Sequence, residues 1–206
     1  MPHYDWSVPR ARQKEFAQFI GTKHAVLTSS GTSALFLCLK ALGVKEGDGI
    51  LVPSLTAFPT IEPVFHVGAR PIFIDIDDTF TVDPKHIESV LRNKSQISGV
   101  KEIKGIIPVH LYGHPAHMDS LLDLAKRYGL FVLEDCCQAH GAKYKGARVG
   151  SIGIGGCFSF YPSKNLTVFG DGGILVTSAM GRVTETMGRT AGAISTEQRK
   201  RLDEAR

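Results

Sequence analysis

Residues 105–135 read GIIPVHLYGHPAHMDSLLDLAKRYGLFVLED. The two ends, 105–111 and 130–135, are short runs of β-branched and aromatic residues. Such runs suit strands covered on both faces. Between them, Met118 to Tyr128 spaces its apolar residues as an amphipathic helix, and Gly129 follows as a stop. Strand, helix and strand in succession make a βαβ unit, with parallel strands and a right-handed crossover.

The same alternation extends in both directions. Upstream, the pattern predicts a helix over 10–20, a strand over 25–28 and a largely buried helix from Ser33 to Leu42, closed by Gly43. A strand over 50–53, a helix over 60–67 and a strand over 71–76 follow. Pro84 opens a helix over 84–92, as proline does at a first helical position. Downstream, 157–160 and 173–177 read as strands. The expected fold is three-layer α/β/α with a mainly parallel central sheet. After residue 180 the apolar periodicity fades, and TEQRKRLDEAR at 196–206 reads as a polar helical stretch.

Composition narrows the class. The chain has 206 residues, enough for one sizeable core. Apolar residues make up 43% and charged residues 21%, which excludes disordered and fibrous chains. No window reaches the ~18 apolar residues of a membrane span, and the N-terminus MPHYDWSVPR has no apolar signal core. The net charge of +4 is spread along the chain, so no nucleic-acid partner is expected. Cys38, Cys136, Cys137 and Cys157 have neither disulfide-framework nor zinc-ribbon spacing. They read as buried free thiols in a reducing, cytoplasmic setting. The 22 glycines exceed the usual ~7% and point to tight strand–helix turns and backbone pressed against a ligand.

In an open α/β sheet, ligands bind beyond the carboxyl ends of the strands. After the 25–28 strand, Ser29-Ser30-Gly31-Thr32-Ser33 runs straight into a helix. Free amides and the helix dipole make such a start an anion cup, and an ordinary N-cap is the simpler alternative. The strand LFVLED ends on Glu134-Asp135, a carboxylate aimed at the crevice. Ser159, Lys164 and Asn165 lie between aromatic Phe158, Phe160, Tyr161 and the glycines of 170–173. A desolvated lysine loses its proton more readily and can attack a carbonyl to form a Schiff base. Anion cup, buried carboxylate and Schiff-base lysine together match the needs of pyridoxal phosphate.

At these residues the chain resembles the DegT/DnrJ/StrS nucleotide-sugar aminotransferases. The resemblance rests on SSGTSAL at 29–35, GVKEGDGILVPSLT at 43–56, GARPIFIDID at 68–77 and PVHLYGHPAHMD at 108–119. Its most specific stretches are LEDCCQAHGAKYKGARVGSIG at 133–153 and FSFYPSKNLTVFGDGGILVT at 158–177. Lys164 follows Asp135 by 29 residues, Gln138 follows Asp135 by three, and Ser159 precedes Lys164 by five.

The resemblance implies a type I aminotransferase-like large domain over 1–180, with a polar tail over 181–206 and no small domain. It implies pyridoxal 5'-phosphate as cofactor and roles at matching positions. Lys164 would carry the Schiff base and act as general acid and base, and Asp135 would pair with the pyridine nitrogen. Gln138 would bond the phenolic oxygen, and Gly31, Thr32 and Ser159 would hold the phosphate. An amino acid, usually glutamate, would donate an amino group to a nucleotide-linked keto-sugar, in a homodimer. Family members carry a ring-stacking aromatic after the threonine of the PSxT motif, whereas here Thr56 is followed by Ala57 and then Phe58. The missing small domain implies slow turnover or none. The alternative is a cofactor-binding or regulatory module of the same family.

Two further patterns stand in the residues. His110, His114 and His117, with His140 downstream, have spacings of a metal site, but Gly113 and Pro115 interrupt any helix there. No metal is expected. In RKRLDEAR at 199–206, acidic residues alternate with basic ones, which describes a solvated helix face.

Overall fold

A computed structural model describes residues 7–179. In chain order the helices are α1 (Ser7–Ile20), α2 (Gly31–Ala41), α3 (Phe58–His66), α4 (Pro84–Arg92) and α5 (Met118–Tyr128). The strands are β1 (His24–Thr28), β2 (Asp48–Pro53), β3 (Arg70–Ile74), β4 (Glu102–Ile106) and β5 (Phe131–Asp135). The short pair β6 (Lys143–Tyr144) and β7 (Ala147–Arg148) follows, then β8 (Gly155–Ser159) and β9 (Gly173–Thr177).

Local chemistry sets the helix ends. Ser30 caps α2 by accepting the Ser33 N–H on its hydroxyl. Asp83 caps α4 in the same way through the Lys85 N–H, with Pro84 at the first position. Gly129 ends α5 in the left-handed conformation, φ 69°.

Seven strands form one sheet in the order β1-β9-β8-β5-β4-β2-β3. Strands β3, β2, β4, β5 and β8 run parallel, and only β9, wedged between β8 and β1, runs against its neighbours. Alternate side chains of a strand face opposite sides. Leu133 of β5 and Ile50 and Val52 of β2 pack with α2 and α3, while Val132 and Leu51 pack with α4 and α5. On β8 and β9, Cys157 and Leu175 join the α2 side, while Phe158, Ile174 and Val176 join Ile20 of α1. Helices thus cover both faces, and the three-layer α/β/α expectation with a mainly parallel sheet holds.

Several boundaries differ from the sequence expectation: α1 and α2 begin earlier, at Ser7 and Gly31, β3 ends earlier, at Ile74, and β8 begins at Gly155. The strand expected over 105–111 is β4 at Glu102–Ile106. Beyond it, Pro108 has no N–H to give, yet its carbonyl accepts the Asp135 N–H and His110 N–H donates to Asp135 O. The segment therefore continues beside β5 without a regular ladder. Helix α3 begins two residues early, at Phe58, with Pro59 in its first turn. The hairpin β6–β7 was not expected; Lys145 and Gly146 turn it with φ 48° and 89°, the two positive values a tight hairpin turn requires. The polar stretch expected over 196–206 lies outside the described residues.

Candidate functional site

The sheet order reverses between β2 and β4: the chain leaves β2 for β3 at one edge, and leaves β4 the other way, through β5 and β8. A crevice opens at such a switch point, beyond the carboxyl ends of the strands. An open cleft of about 1000 Å³ lies there. Gly31, Thr32, Asp135, Gln138, Ser159 and Lys164 all line it.

Asp135 closes β5 and is 3% exposed. Its Oδ1 accepts the Cys137 N–H at 3.0 Å, and its Oδ2 accepts the Thr60 hydroxyl at 2.8 Å. Its neighbour Glu134 points the opposite way and is fully buried. Glu134 Oε1 accepts the Ile152 and Gly153 amides, and Oε2 accepts the Gly150 amide and lies 3.0 Å from His110 Nε2. His110 Nδ1 accepts the Ala116 N–H, so the ring proton sits on Nε2 and is donated to Glu134. The adjoining carboxylates therefore divide the work: Glu134 ties down the 150–153 turn, and Asp135 faces the cleft.

Cys136 completes a buried cluster with His110 and Glu134. Both His110 nitrogens are already bonded, and burial, reinforced by Glu134, pushes the Cys136 thiol well up. The cluster works as a hydrogen-bonded core. The other histidines of the spacing part company: His117 pairs with Asp77 at 3.1 Å, and His140 packs against Phe158 and Phe160. Burial holds His140 below its ordinary value, and the Lys164 charge adds to that, with the Ser159 backbone opposing.

The helix start is built for close approach. The Gly31 and Thr32 amides have no protein acceptor among the described residues, because the first turn of a helix has no preceding turn of carbonyls to accept them. A Cβ on Gly31 would meet Cys137 Sγ at 2.6 Å and Ser159 Cβ at 3.0 Å. On Gly173 it would sit 2.3 Å from the Ser30 carbonyl. Gly173→Ala is expected to cost ~1–3 kcal/mol, because a backbone cannot step aside as a side chain can. It should also tilt the two free amides. Thermal melting and the affinity of the cleft for phosphate check both effects.

Ser159 ends β8, and its Oγ accepts the Tyr161 N–H at 3.3 Å, leaving its own proton to donate. Gln138 Oε1 accepts the Tyr112 N–H at 3.0 Å, which leaves its NH₂ as the free end. Lys164 sits half-buried in the 161–169 turn, and its ammonium has no side-chain partner among the described residues. It is near enough to Cys137 to oppose the rise that burial and Asp135 impose on that thiol. All four cysteines are free.

Phe58 does not take up the aromatic position. It is 63% exposed at the start of α3, and Ala57 lines the cleft instead. Sequence reasoning missed Thr60 and the Tyr112 amide. Thr60 is 75 positions from its partner, and no local pattern signals such a pairing.

A mainly parallel sheet with one reversed strand, and a helix start, a buried carboxylate and a lysine at its carboxyl edge, define an aminotransferase-type α/β domain. The family model described as the DegT/DnrJ/EryC1/StrS aminotransferase family matches residues 10–191. The chain belongs to this family. It is 47% identical over 170 residues to the UDP-N-acetyl-3-dehydro-alpha-D-glucosamine 3-aminotransferase of Acidithiobacillus ferrooxidans, covering 82% of this chain and 44% of that protein. The DegT DnrJ EryC1 StrS aminotransferase structure from Brucella abortus superposes with a TM-score of 0.85 at 32% identity, over 90% of this chain and 50% of that one. NtdA from Bacillus subtilis, crystallised with bound cofactor PMP, gives a TM-score of 0.76 at 31% identity, over 88% and 39%. The chain spans less than half the length of the curated relatives it matches.

Proposed function

We propose that this chain is the cofactor-binding part of a pyridoxal-phosphate-dependent aminotransferase. The whole enzyme moves an amino group from an amino acid, with glutamate expected, to a nucleotide-linked keto-sugar. The observation that carries this reading is that two helix-start amides and a lysine, none of them partnered among the described residues, meet a buried carboxylate on one cleft.

The residues fit the cofactor. The Gly31 cradle is too tight for any Cβ, which suits backbone that must touch a phosphate. When bound, pyridoxal phosphate supplies an aldehyde to carry the amino group and a ring to take up an electron pair. The Gly31 and Thr32 amides and the Ser159 hydroxyl would hold the phosphate. Asp135 would hold a proton on the ring nitrogen, and the Gln138 NH₂ would donate to the phenolic oxygen. Lys164 Nζ would be the amine that holds the aldehyde and, when free of it, the group that moves protons.

A homodimer belongs to the proposal. The 161–169 turn that carries Lys164 exposes Tyr161, Leu166, Val168 and Phe169, an apolar rim suited to a second subunit. Sedimentation of the cofactor-loaded protein checks it, and a monomer that holds the cofactor tightly overturns it. Four free thiols support a reducing, cytoplasmic setting. Among the described residues, no helix is long and apolar enough to cross a membrane.

The decisive experiment adds pyridoxal phosphate to the purified protein, then borohydride, then maps the modified peptide. Attachment at Lys164 is the expected result. Attachment at another single lysine, or none, overturns the proposal.

A further inference from the structure

Behind the Asp135 carboxylate lies a chain of hydroxyls. Thr60 Oγ1 is 2.8 Å from Asp135 Oδ2, and Thr56 Oγ1 is 2.8 Å from Thr60 Oγ1. An ionised carboxylate can only accept, so Thr60 gives its one hydroxyl proton to Asp135. The Thr60 oxygen is then free to accept, and Thr56 must be its donor. The chain runs in one direction, from Thr56 through Thr60 to Asp135, and each link polarises the next.

Its setting favours strength. Thr60 and Asp135 are each 3% exposed, so water competes little for the bond between them. Thr60 sits in the first turn of α3, whose partial positive charge favours an anion close by. Thr56 lines the cleft half-buried, and the Cys137 N–H occupies the other carboxylate oxygen. Each oxygen keeps a second lone pair for a ring N–H.

We propose that Thr60 is a positioning residue for Asp135, with Thr56 as the second link. This rests on the function proposed above. The Thr60 hydroxyl, backed by Thr56, occupies one carboxylate oxygen and fixes the Asp135 side chain in the rotamer that faces the cleft, aimed at the ring nitrogen of a bound pyridine. Without it the carboxylate loses one of its two anchors and is less well placed to hold a proton on that nitrogen.

The test compares Thr60→Val, Thr60→Ser and Thr56→Val with the parent. Valine keeps the shape of threonine and removes the hydroxyl, whereas serine keeps the hydroxyl and removes the methyl. The readouts are pyridoxal phosphate affinity by absorbance titration, the 15N resonance of ring-labelled cofactor, and thermal melting as a check on folding. Thr60→Val is expected to bind about tenfold more weakly, Thr60→Ser within about twofold of the parent, and Thr56→Val between them. The 15N resonance should move toward the unprotonated position in Thr60→Val alone among the Thr60 variants. A Thr60→Val protein with parental affinity and resonance overturns the proposal. So does a Thr60→Ser protein as impaired as Thr60→Val, since the methyl and not the hydroxyl would then matter. A parent that shows no attachment at Lys164 overturns the proposed function and this role together. A parent that attaches at Lys164, with Thr60→Val unchanged, overturns the positioning role alone.

Discussion

Lys164→Ala is expected to abolish covalent uptake of pyridoxal phosphate while leaving the fold intact. Lys164 is the only lysine lining the cleft among the described residues, so no second amine stands ready beside Asp135. Its side chain is half-buried and makes no hydrogen bond or ion pair among the described residues. Truncating it should therefore change stability by no more than ~0.5 kcal/mol. The effect on chemistry is far larger. A positioned general acid and base contributes ~10²–10⁴-fold, and the lost covalent link adds to that. Borohydride trapping with peptide mapping measures the attachment, and thermal melting measures the fold. A variant that still traps the cofactor at one site would show that another lysine does this work.

Glu134→Ala should produce the largest loss of stability. The carboxylate is fully buried and serves three backbone amides and the His110 ring. Alanine would leave four donors with no acceptor, those of His110 and Gly150 buried and those of Ile152 and Gly153 partly buried, and each buried one costs ~1–3 kcal/mol. Water entering the gap recovers part of this, so a net loss of ~3–5 kcal/mol is expected. At ~2–4 °C per kcal/mol for a chain of this size, the melting temperature falls by roughly 10 °C. Glu134→Gln keeps one acceptor oxygen and should fall between. Cofactor affinity should drop in step with stability, because the anchored residue directly precedes Asp135. A Glu134→Ala protein that melts within about 2 °C of the parent would show that the 150–153 turn is held by other means.

Much of the site could be read along the chain because its parts are local. Ser30 caps α2 three residues ahead of its partner, and the small residues of 29–33 announce a helix start with free amides. Strand β5 shows its apolar run and ends on its carboxylate within six residues. The 161–169 turn shows its lysine between aromatic residues and glycines. In each case the physical cause acts over a few neighbouring residues, through backbone period, capping or turn chemistry.

Pairings across the chain were a different matter. Nothing in 173–177 says that β9 runs antiparallel between β8 and β1, since an apolar run reports burial and not its neighbour. Nothing in Glu134-Asp135 says which carboxylate would be taken by the 150–153 amides and which by Thr60. That division follows from the alternation of β5 between two faces, and from what each face meets once the sheet is assembled. The orientation of Phe58 was equally undetermined, because it turns on where α3 starts over the cleft. Sequence by itself determined the elements, their alternation and the residue types at the carboxyl edge of the sheet. The tertiary structure alone decided which of those residues touch. Contacts between residues 26 to 75 positions apart, such as Tyr112 with Gln138 and Thr60 with Asp135, depend on how the assembled sheet brings the loops at its carboxyl edge together.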